Sequence, residues 1–298
     1  MEILITGGTG LIGRRLCEAL RRAGHGLTVL SRKPASVTAL CGAGVRAFAD
    51  LRDWTPDVHF DAVINLAGEP IVDAAWSEQR KAVLLASRVG LTERLVQCIA
   101  AAEVKPSVLL SGSAVGYYGD CGDRLLDESA PAADDFAASM CREWEQVADS
   151  ARSYGVRVCL LRTGLVLDKD GGLYGKMRRP FSFGLGARLG DGRQWMSWIH
   201  SADYAAIVLG LLVDVSAQGP FNMTAPQPAT NAEFTRELAT ALHRPALFVA
   251  PAWLLRMALQ ERAYMLLGGQ RVLPKKLEAA GYRFLYPDLR GALRAIVA

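Results

Sequence analysis

The thirteen residues that open the chain, Met1 to Gly13 (M-E-I-L-I-T-G-G-T-G-L-I-G), constrain its fold more than any other stretch. Ile3, Leu4 and Ile5 form an apolar run without a turn residue, as a buried central strand does. Gly7, Gly8, Thr9 and Gly10 interrupt it, and a helical apolar pattern opens at Leu11 and Ile12 and continues through Leu16 and Leu20. Strand, glycine turn and helix N-terminus in that order make a place for a diphosphate, because free backbone N–H groups and the helix dipole both favour an anion. The glycines are spaced G-x-x-G-x-x-G (Gly7, Gly10, Gly13) and not G-x-G-x-x-G. The same physics applies: Gly7 permits the tight turn, Gly10 lets backbone approach the phosphates, and Gly13 lets the helix pack closely on the strand. The competing reading is a glycine-rich β–α turn with no ligand.

A second strand, Leu27 to Leu30, ends at Ser31-Arg32-Lys33-Pro34. In the dinucleotide fold an acidic residue about 20 positions beyond the glycines accepts the ribose 2′-hydroxyl of NAD. Here that slot, 18 residues past Gly13, holds Ser31, followed by two cations. A carboxylate would repel a 2′-phosphate, whereas a hydroxyl and a guanidinium bind it with charge-assisted hydrogen bonds. The expected cofactor is therefore NADP(H), with Ser31 and Arg32 on the phosphate and Lys33 as a looser second charge. The alternative is a solvated basic turn.

Further strands are expected at Val45–Phe48, at Asp61–Asn65 leading into Leu66-Ala67-Gly68, at Ser107–Leu110 and at Val156–Leu161. The backbone at Leu66 and Ala67 could approach the adenosine half of a dinucleotide. One long helical pattern covers Trp76 to Ala102 and carries Arg88, and another covers Phe136 to Tyr154, in which Trp144-Glu145 reads as core plus surface. The alternation predicts an α/β fold: a Rossmann-type doubly wound parallel sheet with a smaller C-terminal substrate lobe. Residues 1–168 form the NADP-binding domain, with 194–224 returning to it through a strand at Gln194–His200, a helix capped by Ser201 and a strand at Pro220–Asn222. Residues 169–193 and 225–298 form the lobe, where Thr230 to Glu233 reads as a helix cap. In the glycine-rich stretch Arg178, Arg179 and Arg188 either hold an anionic substrate or are solvated.

Composition narrows the function classes. The 34 basic and 30 acidic residues are spread along the chain, and no basic run interleaves with aromatics, so no nucleic-acid partner is expected. None of the six cysteines forms a C-x-x-C pair, which argues against a zinc site or a disulfide framework, and no metal is expected. The apolar stretch Ala205–Val213 is too short to span a bilayer. The first strand begins at Met1, leaving no room for a leader, and the expected location is cytoplasmic.

With these stretches assembled, the chain resembles the extended short-chain dehydrogenase/reductases of the NAD(P)-dependent sugar epimerase/dehydratase type. The matches are ITGGTGLIG, N-L-A-G at 65–68, S-G-S-A at 111–114, Tyr118-Gly119 and W-I-H-S-A-D at 198–203. It is closer still to the "epimerase family", cell-division-inhibitor-like branch, through SRKP, NLAGEPI, Ser87-Arg88, Trp144-Glu145, Gly171-Gly172, N-M-T-A-P at 222–226 and G-Q-R-V-L-P at 269–274. The resemblance implies NADP(H) contacts at Thr9, Gly10, Leu11, Ile12, Gly13, Ser31, Arg32, Leu66, Ala67, Arg88 and Val166, a small-molecule substrate and a tendency to homodimers.

Superfamily chemistry uses a tyrosine acid/base with a lysine four residues on, which lowers the phenol from its ordinary pKa of about 10, and a serine on the fifth strand. Ser113 fits the serine. The tyrosine and lysine positions are Phe136 and Met140, and no tyrosine in the chain has a lysine four residues on. Phenylalanine has no proton to donate and methionine no charge. Tyr117 and Tyr118, in the turn after Ser113, are the candidate acids or else aromatic packing. His200 either approaches the nicotinamide or bonds backbone. Two functions follow: an NADP(H)-dependent oxidoreductase or epimerase-like enzyme, or a non-catalytic NADP(H)-binding redox sensor.

Overall fold

The central apolar runs become strands buried on both faces, because helices cover the sheet above and below, while the edge strand Arg46–Phe48 stays largely exposed. The computed structural model describes residues 1–297. Seven parallel strands form the central sheet: β1 (Glu2–Thr6), β2 (Gly26–Leu30), β3 (Arg46–Phe48), β4 (Ala62–Asn65), β5 (Val108–Ala114), β6 (Arg157–Thr163) and β7 (Gly219–Met223). Their spatial order is β7-β6-β5-β4-β1-β2-β3. The winding direction therefore reverses beside β1, with β2 on one side and β4 on the other.

On one face the helices Leu11–Arg22 and Ser201–Val213 close a core that contains Ile3, Ile5, Leu16, Leu20 and Ile64. On the other face Leu4, Val63 and Leu109 pack with Leu95, Ile99 and Ala148 from the helices Leu91–Ala101 and Phe136–Asp149. The alternation of side chains along each strand sends neighbouring residues to opposite faces, so Ile3 and Leu4 enter different cores.

The expected Trp76–Ala102 helix is present with a change of pitch inside it. An α-helix from Glu78 to Leu85 passes through a π-helical turn, Ala86–Gly90, before continuing as Leu91–Ala101. Such single-turn widenings are frequent at functional sites, and this one carries Arg88. The segment Gln194–His200, expected to be a return strand to the dinucleotide-binding domain, is two short strands that lie outside the seven-stranded sheet. Trp195–Met196 pairs antiparallel with Ala229–Thr230, and Trp198–His200 pairs in parallel with Leu165–Asp168, forming two small ladders outside the seven strands. Only the helix Ser201–Val213 and β7 rejoin the central layers.

The C-terminal lobe has its own core, in which Trp198 is fully buried among Phe181, Phe234, Leu238 and Leu293. Its helix Asn231–Ala241 starts with a reciprocal cap, Thr230 and Glu233 each bonding the other's backbone. No helix among the described residues is long and apolar enough to cross a membrane.

Candidate functional site

The crevice lies at the carboxyl ends of β1 and β4, where the strand order turns back. Gly7 has φ 71° there, a left-handed value that costs glycine nothing. It is also pressed against the turn after β4: a Cβ on Gly7 would stand 2.7 Å from the Leu66 carbonyl carbon and 2.8 Å from the Ala67 nitrogen. Gly13 closes the other side, since its Cβ would sit 2.3 Å from the Gly7 oxygen. Gly10 differs from both. A Cβ on it would meet only the Gly7 oxygen, at 3.3 Å, so this glycine borders open space. Gly10 is the N-cap of the first helix, no side chain caps that turn, and the first turn holds no acidic residue. The N–H groups of Leu11 and Ile12 are consequently without intrahelical acceptors. An uncapped, uncharged helix start beside a glycine cradle fits a dinucleotide diphosphate.

Polar side chains beneath the cradle hold it in shape. Thr6 Oγ1 donates to Asn65 Oδ1 at 2.6 Å and accepts from the Ala67 N–H at 3.1 Å. Asn65 Nδ2 donates onward to Thr92 at 2.8 Å and to Ser111 at 3.2 Å. Thr9 and Ile12 are half-buried in the first turn, and Val166 packs beside Ile12 and Leu66 against the first core. Arg88, from the π turn, donates to the Glu69 carbonyl at 2.9 Å and lies against Gly68, and burial lowers its pKa from the ordinary arginine value.

At the end of β2, Ser31 is buried and its Oγ accepts the Lys33 N–H at 3.1 Å. Arg32 extends into solvent and pairs with Glu69 at 2.6 Å. Glu69 was not foreseen in the sequence: it stands on the turn after β4, 37 residues away, and competes for the cation assigned to a ribose phosphate.

The end of β5 carries a different kind of site. Ser113 Oγ donates to Glu145 Oε1 at 2.6 Å. Glu145, read from the sequence as partly surface, is buried and takes two parallel hydrogen bonds from Arg162 on β6, both 2.8 Å. Burial works against the Arg162 charge, but the Glu145 carboxylate more than restores it, and its pKa stands above the ordinary arginine value. The guanidinium lies over the Tyr117 ring, 3.6 Å from its centroid. Cys141, beneath Ser113, is buried, which pushes its thiol up to about 12 and keeps it inert.

The two candidate tyrosines divide here. Tyr118 is fully buried, and its hydroxyl donates to Asn222 at 2.7 Å and accepts from Arg162 at 2.9 Å. Burial pushes its phenol up to about 12 in spite of Arg162. Its hydroxyl is thus committed to two hydrogen bonds, and its ring packs in a small core with Leu126 and Val272. Tyr117 is half-buried beside it. Phe136 begins its helix against the edge of Trp76, ring centroids 5.2 Å apart, and Met140 is buried in the same helix.

His200 is a helix cap: its Nδ1 accepts the Ala202 N–H at 3.1 Å, displacing the expected Ser201 from that role, and burial lowers its pKa. Asp203 is buried and holds the later chain, accepting from Leu285 N at 2.7 Å and Tyr286 N at 3.0 Å. Arg15 on the first helix clasps Asp168 with bonds of 2.7 and 2.8 Å and also reaches Asp170. Burial alone would raise the Asp168 carboxyl, but the bonds from Arg15, Ser201 and the Asp170 backbone bring it down to about 2. Lys176 pairs with Asp73 at 2.5 Å, and Lys81 with Glu261 at 3.0 Å, so the lobe is tied to the segment that follows the β4 turn.

The model of the NAD dependent epimerase/dehydratase family matches residues 3–224, and that of a domain of unknown function, DUF1731, matches residues 250–296. Among curated proteins, the chain is 39% identical to "Epimerase family protein SDR39U1 homolog, chloroplastic" of Arabidopsis thaliana, over all of this chain and 87% of that one. It is 41% identical to "Epimerase family protein ML0860" of Mycobacterium leprae, over 98% of this chain and 94% of that one. Among solved structures, human epimerase family protein SDR39U1 (isoform 2), crystallised with NADPH, superposes with a TM-score of 0.90 at 35% identity, covering 100% and 99% of the two chains. A Bacillus cereus UDP-glucuronic acid 4-epimerase shares the fold, with a TM-score of 0.79 at 15% identity over 100% of this chain and 96% of that one.

Proposed function

This chain belongs to the NAD dependent epimerase/dehydratase family, and from that premise we propose that it is an NADP(H)-dependent oxidoreductase or epimerase-like enzyme acting on a small carbonyl or hydroxyl compound. The observation that carries the reading is the Ser113 hydroxyl, held by Glu145 at 2.6 Å on the strand next to the one whose turn flanks the glycine cradle. With its proton directed to the carboxylate, the serine oxygen keeps its lone pairs for a substrate hydroxyl. Tyr117 is the acid of this reading.

The cofactor, when bound, supplies or takes the hydride. Gly7, Thr9, Gly10, Leu11, Ile12 and Gly13 hold its diphosphate, and Leu66 and Ala67 flank the adenosine. Ser31 and Arg32 take the 2′-phosphate, which requires Arg32 to leave Glu69. Arg88 and Val166 complete the contacts. The NADPH named with the human relative supports this choice over NAD(H). A homodimer in the cytoplasm, without nucleic-acid or membrane partners, completes the proposal.

The test follows NADPH absorbance in the presence of a panel of aldehydes, ketones and keto-sugars. Consumption that falls at least tenfold in both Ser113→Ala and Tyr117→Phe, with NADPH affinity unchanged, is the expected result. A second reading, a redox sensor without turnover, is favoured by Phe136 and Met140 standing where the acid and its lysine belong. Tight NADPH binding with no consumption across the panel would replace the first reading with the second.

A further inference from the structure

Away from the crevice, the C-terminal lobe carries an open groove of about 710 Å³ between the Asn231–Ala241 helix and the short strand Phe248–Ala250. No residue of the cradle, of the Ser113 corner or of the Arg32 turn lines it. Its walls are of two kinds. Ala232, Ala239, Ala246, Leu247, Phe248 and Val249 make an apolar trough, while Arg188, Arg236, His243 and Arg244 bring positive or protonatable groups, and among the described residues no carboxylate lines it.

Buried polar atoms without partners mark this cavity as a built site. Arg188 Nε and the Thr235 hydroxyl, both on lining residues, are buried without a hydrogen-bond partner, and Thr235 is only 4% exposed. Leaving such groups unsatisfied is unfavourable, and a bound acceptor would satisfy them. His243 follows the helix with φ 53°, the left-handed position at a helix end where glycine is usual, and it lines the same cavity. Arg188 has no ion-pair partner among the described residues, and Arg244 bonds only the carbonyls of Ser182 and His243, which leave its charge uncompensated. The volume also falls within the range of about 300–1,000 Å³ typical of small-molecule sites.

We propose that this cavity is a second ligand site, taking a small amphipathic anion whose phosphate or carboxylate head meets Arg188 and Arg244 and whose apolar body lies along Ala239, Leu247 and Phe248. A flat lipid surface fits less well. It would meet the protruding Leu247 and Trp253, 83% and 66% exposed, but would not reach the buried Arg188 Nε or the Thr235 hydroxyl.

The probe is decyl phosphate below its micelle-forming concentration, titrated calorimetrically into the full-length protein. Inorganic phosphate, decyltrimethylammonium and vesicles of anionic phospholipid serve as comparisons. Saturable binding at least tenfold tighter than either inorganic phosphate or the cationic amphiphile is expected, with no competition from NADPH. Arg188→Met, which keeps the stem against Gly192, should weaken it at least tenfold, and Ala239→Phe, which fills the trough, should abolish it. NADPH affinity should stay unchanged in both variants, which establishes that they fold. Equal binding of the cationic amphiphile, unchanged binding in both variants, or displacement by NADPH would each overturn the proposal. Binding to vesicles without binding of the monomeric probe would overturn it in favour of a membrane-facing surface.

Discussion

The two ends of the crevice are built from different materials. At β1 and β4 the cradle is backbone: Gly7 and Gly13 are needed because neighbouring main chain occupies the space of their side chains, and the groups left open at the helix start are amides. At β5 and β6 the site is made of side chains, with Ser113 and Tyr117, Glu145 and Arg162 meeting from three separate segments. A backbone site tolerates almost any neighbouring sequence so long as the glycines stay. A side-chain site changes its chemistry with two substitutions, and Phe136 and Met140 are two such positions. Cofactor binding and catalysis can therefore diverge independently on one scaffold.

The sharpest way to break this contrast is at the buried pair. Glu145→Ala leaves Arg162 charged and nearly fully buried with no carboxylate, and should cost about 3–5 kcal/mol in urea unfolding. Replacing both members by methionine should recover most of that loss, since the pair's desolvation is removed with it. If Glu145→Ala unfolds at the wild-type midpoint, the side-chain network is not what holds this end together.

At the cradle the corresponding change is Gly13→Ala, whose methyl would stand 2.3 Å from the Gly7 oxygen. NADPH affinity measured by fluorescence titration should fall on the order of a hundredfold, about 2.7 kcal/mol, with a smaller effect on the urea midpoint. An unchanged affinity would mean that the helix start can shift without moving the diphosphate groups.

A smaller effect is expected where the lobe meets the first helix. The Asp168 carboxyl is held at about 2, below its ordinary 3.8. A lowered folded-state value means that the stabilisation is complete above about pH 4 and is lost as pH falls toward 2. Wild type should lose on the order of 1–2 kcal/mol more than Asp168→Asn across that window, allowing for the partly exposed Arg15. Parallel acid-unfolding curves for the two proteins would remove Asp168 as the titrating group.

The smallest effect belongs to the rim. Arg32→Ala should weaken NADPH on the order of tenfold and leave NADH nearly unchanged. Glu69→Gln, which frees Arg32 from its carboxylate, should shift the preference further toward NADPH. Equal loss for both cofactors would make the turn at 31–33 a general anion rim and not a phosphate selector.

The contrast also accounts for what could be read in advance. The strand and turn from Ile3 to Gly13 were legible because glycine spacing and apolar runs are local signals. Ser113 was legible through its motif, but its partner Glu145 lies 32 residues on, in a helix that read as partly surface, and Arg162 simply ended a strand. Tyr117 and Tyr118 are neighbours in sequence, and it is distant residues, Asn222 and Arg162 bonding the Tyr118 hydroxyl and Leu126 and Val272 packing its ring, that separate the packed phenol from the half-exposed one. The Gln194–His200 segment has strand character, yet which strand it joins depends on Leu165–Asp168 and Ala229–Thr230, and local pattern carries no information about that pairing.

By itself, then, the sequence determined the doubly wound sheet, the glycine cradle and the missing tyrosine–lysine pair, because each depends on residue type at short spacing. The tertiary structure alone decided that Glu145 is an internal carboxylate, that Arg32 answers to Glu69, that His200 caps a helix and that Arg188 and Thr235 line a cavity with polar atoms unpaired. Charge and burial at a point depend on what other segments bring there, and that is set by packing across the whole chain.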